Sequence, residues 1–129
     1  MRSKRLAGRG LAIDTSGVAA VEIALAAPLL LAFILGIMEI GRALWIQNAL
    51  SYSVAEAARC ASVTPTVCGT TAQTQSYAAD RSGSDIASSV FTVSAAACGK
   101  QVSATYPMAL TIPFMDLSVN LTAQSCYPS

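Results

Sequence analysis

Apolar residues in the first half of the chain form one long run, and their spacing predicts a single long helix. The 21 residues from Val18 to Met38 contain one charged residue, Glu22, and a helix of that length spans a bilayer at about 1.5 Å per residue. Beyond this run, apolar residues recur every three or four positions on one helix face: Ala43, Ile46, Leu50, Val54, Ala57 and Ala61. We therefore predict one helix over residues 18–61, transmembrane over 18–41 and amphipathic after that.

Alternating apolar and polar residues in the last third of the chain predict β-strands. The alternating apolar positions form three groups: Phe91, Val93 and Ala95; Val102, Ala104, Tyr106 and Met108; and Leu117, Val119, Leu121 and Ala123. We expect a tight connection at Cys98–Lys100 and a longer one from Thr111 to Asp116, which contains Pro113. The predicted fold class is α+β, with a three-stranded antiparallel meander packed on the alanine-rich face of the long helix.

The segment between the long helix and the strands has weaker patterns. Pro65 ends the long helix, because the residue before a proline avoids the helical conformation. A short second helix is predicted over residues 70–79. The stretch 80–85, which contains Ser84 or Asp85 as a candidate cap, is expected to be a turn or loop. Residues 62–129 are thus predicted to form one small α/β domain.

The chain has four cysteines, all of them after the apolar run: Cys60, Cys68, Cys98 and Cys126. Two disulfides in an oxidising compartment suit a domain this small, because its core is marginal. The alternative is four free thiols in a reducing cytosol, which the membrane segment disfavours. In a meander Cys98 and Cys126 end the outer strands on the same side, which leaves Cys60 and Cys68 as a local pair. Outer strands are about 9.6 Å apart, more than a disulfide spans, so this pairing requires the strand ends to converge, and all three connectivities stay open.

Charge is distributed unevenly along the chain, whose net charge is +1. Residues 1–17 form a short basic leader with four basic residues and one acidic residue, so they carry +3 and the remainder carries −2. Basic residues before a membrane helix keep that end in the cytoplasm, which places the C-terminal domain on the outer side. Four scattered charges beside a membrane span do not favour nucleic-acid binding.

No residue pattern indicates an enzyme. The chain has no His, which excludes Ser–His and Cys–His nucleophile pairs. It has neither a phosphate-binding glycine loop nor a C-x2-C zinc knuckle. Asp80 and Asp85 lie in a segment with Ser and Gly, where solvation explains them more simply than a carboxylate pair. We therefore expect no catalytic residue, no metal and no cofactor.

Glu22 is the informative residue of the span, because a carboxylate inside a membrane segment is costly and indicates a function. It is the fifth residue after Gly17, which follows a short basic leader and precedes the long apolar helix. This arrangement resembles a type IV prepilin processing site, and with it a type IV pilin-like fold. The longer string from Gly17 to Pro28, followed by Gly36 to Arg42, resembles the TadE-like proteins, which are pilin-like components of the Flp, or tight-adherence, pilus system.

The resemblance implies a structural role in pilus assembly, with cleavage between Gly17 and Val18 by a membrane aspartic prepilin peptidase. Glu22 of one subunit would then neutralise the new Val18 amine of its neighbour, since a charge pair in low dielectric costs less than either charge alone. Two features depart from the usual pattern. Ile23 stands where an aromatic residue is common, and Asp14–Ser16 rather than basic residues precede Gly17.

The location implied by the resemblance is the bacterial inner membrane, with a single pass, a cytoplasmic N-terminus, a periplasmic C-terminal domain and association with a pilus. The implied partners are the prepilin peptidase, other pilins or pseudopilins, the pilus assembly machine and membrane lipid. Two alternatives stay open. One is a pseudopilin of a type II secretion-like system, and the other is an uncleaved, single-pass, membrane-anchored periplasmic binding domain.

Three further features of the long helix give structural predictions. Pro28 removes one helix hydrogen bond and should kink the span. Glu39 and Arg42 are three residues apart, so they can form an ion pair where the helix enters water. Trp45 is expected either at the membrane interface or in the core of the outer domain.

Overall fold

The computed structural model describes residues 15–83, 85–112 and 115–128. This part of the chain contains helices α1 (Thr15–Val63), α2 (Pro65–Cys68) and α3 (Thr71–Ser82), a 3-10 turn (Ser88–Val90), and strands β1 (Phe91–Ala96), β2 (Gly99–Ile112) and β3 (Met115–Tyr127). The strands form an antiparallel sheet in the order β1-β2-β3. The predicted α+β class, with a long N-terminal helix packed on a three-stranded antiparallel meander, is confirmed.

The long helix α1 is continuous over 49 residues and includes Pro28. It begins at Thr15, three residues before the predicted start, so Gly17 is helical rather than part of an irregular leader. A single Gly in a helix costs only about 1 kcal/mol, which the alanine-rich sequence after it offsets. The rest of the predicted leader, residues 1–14, lies outside the described residues. The kink at Pro28 stays a prediction.

The segment between α1 and the sheet is more helical than its sequence indicated. Pro65 does follow the end of α1, but it occupies the first turn of α2, where a proline loses no hydrogen bond because the first N–H groups of a helix are unpaired. The predicted second helix is confirmed as α3 and continues to Ser82. Thr70 caps it, since its hydroxyl accepts from the Gln73 N–H at 3.2 Å and the Gln73 side chain accepts from the Thr70 N–H at 3.1 Å. Ser84, one of the two candidate caps, lies outside the described residues.

The second connection of the meander is shorter than predicted. Thr111 pairs with Asp116, and Ile112 pairs with Met115, so the strands continue into the stretch expected to be a loop. Thr111 and Ile112 are β-branched and favour strands, whereas the loop expectation rested on Pro113. Residues 113 and 114 lie outside the described residues.

Strands β2 and β3 continue well beyond β1 as a two-stranded ribbon. The pairing of β1 with β2 stops at Ala104, whereas β2 from Thr105 to Ile112 pairs only with β3, over Met115–Thr122. We call this part the ribbon. Pro107 lies within it, beyond the first residue of β1, Phe91, which pairs with Ala104, so the missing N–H of Pro107 costs no hydrogen bond to β1.

The core lies between the second half of α1, α3 and the inner face of the sheet. Leu50, Val54 and Ala57 of the predicted apolar stripe are fully buried. Their partners include Ala78 from α3 and Phe91 from β1. Small side chains at several of these positions let the helices and the sheet approach closely, as the alanine-rich face predicted.

Two disulfides join Cys60 to Cys68 and Cys98 to Cys126, with Cα–Cα distances of 5.7 and 6.2 Å. This is the pairing that the meander favoured. The second distance is short because Cys98 is not in an outer strand. It lies in the two-residue turn between Ala96 and Gly99, one strand spacing closer to Cys126 than the end of β1 is.

Candidate functional site

The N-terminal part of α1 is apolar and uncovered. From Gly17 to Val63 the helix is long and apolar enough to cross a membrane, judged by length and composition, and none of its most apolar 18-residue window is buried against the rest of the described chain. Large side chains project from it in every direction, for example Leu25 at 76% and Ile37 at 69% exposure. A helix that is apolar all round and unburied suits lipid or the helices of other subunits.

The predicted cleavage site lies in the first turns of α1. Gly17 and Val18 are both exposed, and the Val18 side chain keeps 65% of its surface. A Cβ added to Gly17 would meet no atom within 4 Å, so packing inside the described chain does not require a Gly there. The bond between these residues is helical, so a peptidase that binds its substrate in an extended conformation would have to unwind this turn to cut it.

Glu22 lies one turn after Val18, on the same side of α1, since residues four apart share a helix face. Its side chain is exposed, and within the described residues it has no ion-pair or hydrogen-bond partner. The structure of one chain therefore leaves this carboxylate available to a group from outside the chain.

The expected ion pair between Glu39 and Arg42, near the C-terminal end of the predicted span, is present. Arg42 Nε lies 3.8 Å from Glu39 Oε2, and the Arg42 guanidinium also donates to the Ala109 carbonyl oxygen at 3.2 Å. Glu39 Oε2 itself accepts no hydrogen bond from the described residues.

Trp45 keeps 73% of its surface exposed, so the interpretation of Trp45 as a core residue of the outer domain is wrong.

Within the described residues, three polar side chains of α1 donate hydrogen bonds to carbonyl oxygens of the sheet. Besides the bond from Arg42, Gln47 Nε2 donates to the Thr122 carbonyl oxygen at 2.8 Å, and Ser62 Oγ donates to the Tyr127 carbonyl oxygen at 3.2 Å. These contacts were not predicted, because every residue has a backbone carbonyl group and its residue type does not indicate which carbonyl accepts a bond from a side chain. Only the donor side chains could have been noticed in the sequence, as polar residues beside the apolar stripe of α1.

Small residues in the span are not explained by packing within the chain. Ala32 and Gly36 lie four residues apart, and a Cβ added to Gly36 would meet no atom within 4 Å. Such pairs let a second helix approach closely in membranes.

Elsewhere in the described chain, no group of three His, Cys, Asp or Glu residues is arranged to hold a metal ion.

Comparison with known protein families finds similarity within the first half of the described chain. The family model described as TadE-like protein matches residues 17–59, which is the stretch from the predicted cleavage position to the buried half of α1. Comparisons with curated proteins and with solved structures gave no match.

Proposed function

The chain is TadE-like over residues 17–59, and from this premise we propose that it is a minor pilin or pseudopilin of a Flp/Tad-type pilus, matured by a prepilin peptidase after Gly17. The family implies a component associated with the Tad pilus, with a structural rather than an enzymatic role. The observation that carries the finer proposal is the start of the match. It begins at Gly17, so the family-like part of the chain starts at the proposed cleavage site and includes none of the leader before it.

Exposure along the first turns of α1 supports the assembly role. Cleavage after Gly17 creates an amine on Val18, and Glu22 is exposed without a partner in the described chain. Each charge alone is expensive in lipid, whereas the pair is far less so. When Glu22 of one subunit meets the Val18 amine of the next, the contact fixes the axial position of one helix against the other.

The proposed location is the bacterial inner membrane. Residues 18–41 span it once, the N-terminus is cytoplasmic and the disulfide-bonded domain is periplasmic, where cystines persist. The partners are the prepilin peptidase, lipid, other pilins or pseudopilins and the assembly machine. The Ala32–Gly36 pair supports contact with another helix, because packing inside the described chain leaves Gly36 free to be larger.

The experiment that tests maturation is intact mass spectrometry of the membrane-extracted protein, comparing the parent with Gly17→Ala. We expect an N-terminus at Val18 in the parent and an uncut chain in the variant. Gly41→Ala is the matched control, since it makes the same change in the same helix at a position that is also open, and it should be cut normally. An N-terminus at Met1 or Arg2 in the parent would refute processing and favour the uncleaved, anchored binding domain.

Assembly is tested separately with Glu22→Ala. We expect this variant to be cleaved like the parent, since the scissile bond is unchanged, but to be lost from sheared pilus fractions or to reduce piliation in cells that lack the native copy. Glu22→Asp keeps the charge and should recover part of the assembly. Normal piliation with Glu22→Ala would remove the charge-neutralising role while leaving the processing result intact.

A further inference from the structure

The inner, helix-facing face of the ribbon loses its cover at one end. Along β2 the exposure stays low at Met108, with 3%, and Leu110, with 9%, and then rises at Ile112, which is half-buried. On the partner strand Leu117 keeps 47% of its surface exposed and Met115 keeps 62%. The apolar face therefore continues past the region that α1 covers, which would be unfavourable in water.

This uncovered end points toward the apolar half of α1. Among the described residues, the side chains of α1 that donate to strand carbonyl oxygens are Ser62, Gln47 and Arg42. Their acceptors, Tyr127, Thr122 and Ala109, follow the β2–β3 pair in the same order. Moving toward the N-terminus of α1 thus means moving along the ribbon toward Ile112 and Met115. The direction is fixed by hydrogen bonds at both ends of the helix–sheet contact.

The end of the ribbon reaches the level of the predicted span. Ile112 lies three residues beyond Ala109, the acceptor of the Arg42 bond, which is about 10 Å along a strand. The same rise along α1 takes about six or seven residues. Counted back from Arg42, this estimate puts Ile112 near the level of Leu35, and the approach of the Arg42 guanidinium to Glu39 shifts it further into the predicted transmembrane range 18–41.

Polarity across the ribbon limits how deep this end can lie. Ile112, Met115 and Leu117 share the inner face, because Ile112 pairs with Met115 and Leu110 pairs with Leu117. Thr111 pairs with Asp116 on the opposite face, and both are exposed. An element with one apolar face and one charged face suits the boundary between headgroups and acyl chains.

We propose that the ribbon end, defined by Ile112, Met115 and Leu117, lies in the interfacial layer of the lipid bilayer beside the span of α1. The inference rests on the membrane placement of α1 in the proposed function. It makes lipid the occupant of the uncovered apolar face, because that face continues the equally uncovered apolar surface of α1. The domain then has two attachments to the bilayer, the helix and the ribbon end.

Depth-dependent fluorescence quenching tests this on the full chain. The single Trp of the sequence is removed with Trp45→Phe, and one Trp is returned by Met115→Trp or, independently, by Leu117→Trp. Gln124→Trp, on the exposed outer face of β3 away from this end, is the water control, and Phe33→Trp is the span control. Each variant is reconstituted in phosphatidylethanolamine–phosphatidylglycerol vesicles containing brominated phosphatidylcholine, and retention of both disulfides by intact mass verifies the fold.

We expect the Met115→Trp and Leu117→Trp variants to lose intensity to brominated lipid, as the Phe33→Trp variant does, and the Gln124→Trp variant to be quenched by aqueous iodide instead. Iodide quenching without lipid quenching at both ribbon positions, with the Phe33→Trp variant still quenched by lipid, would overturn the inference and leave the span intact. Protection of both positions from both quenchers would place a second protein copy there and would also overturn it. Absence of lipid quenching in the Phe33→Trp variant would instead refute the membrane placement itself.

Discussion

Leu50 offers the sharpest test of how the sheet is held on α1. Its side chain is fully buried at the centre of the apolar stripe, so Leu50→Ala removes three carbon atoms from a packed core. At about 0.8 kcal/mol per buried carbon, plus the cavity that remains, we expect a loss of about 3 kcal/mol. A domain of about 70 residues has a total of about 4–10 kcal/mol, so the loss is a large fraction of its stability.

The matched control is Leu44→Ala, which makes the same change on the same helix at a side chain that is 60% exposed. We expect it to change stability by less than about 0.5 kcal/mol. The assay is pulse proteolysis of the full chain in detergent across a urea series, with loss of the intact domain as the signal. With a slope of about 1 kcal/mol/M, Leu50→Ala should lower the midpoint by about 3 M. Equal shifts for the two variants would refute the assignment of the core to this face of α1.

Two further predictions concern the segment between α1 and the sheet, and the same assay measures both. A Cβ at Gly69 would clash with the carbonyl oxygen of Pro65, which belongs to the backbone and moves only if α2 shifts. Gly69→Ala should therefore lower the free energy of unfolding by about 1–3 kcal/mol. Stability equal to that of the parent would contradict this packing. Thr70→Ala removes the hydroxyl that accepts from the Gln73 N–H and should lower the free energy of unfolding by about 1 kcal/mol. Thr70→Ser keeps a hydroxyl and should lower it much less. Equal losses of stability for the two variants would show that the cap is unimportant.

The elements that depend on periodicity were predictable. Apolar residues at helical spacing in Ala43–Ala61 identified the face of α1 that is buried, and alternation identified all three strands. The predicted topology favoured the observed disulfide pairing but left the other two connectivities open. The distance between outer strands did not apply to Cys98, because the residue at which β1 ends decides whether that cysteine lies in a strand or in the turn. Strand ends are set by hydrogen bonding with partners, and one sequence does not specify those partners closely.

The features that the sequence did not reveal depend on the relative placement of elements. The ribbon was obscured by Pro113, which suggested a long loop although Thr111 and Ile112 favour strands. The contacts of Arg42 and Gln47 with strand carbonyls required the sheet to be docked first. In contrast, Gly17 and Glu22 were singled out by residue type and spacing alone, and their roles stay predictions, because those roles concern a peptidase and a neighbouring subunit.

Because α1 is continuous, its predicted membrane-spanning half and the half that carries the sheet move together as one rigid element. No linker separates the apolar half of the helix from the half that carries the sheet, because α1 is helical from Thr15 to Val63. From Pro28 to the end of α1 the arm is about 52 Å long. A bend of about 20° at this proline would displace the outer end of the helix by about 18 Å. In the proposed membrane placement, a small change of angle at Pro28 is therefore amplified into a movement of the disulfide-bonded domain larger than the width of a helix.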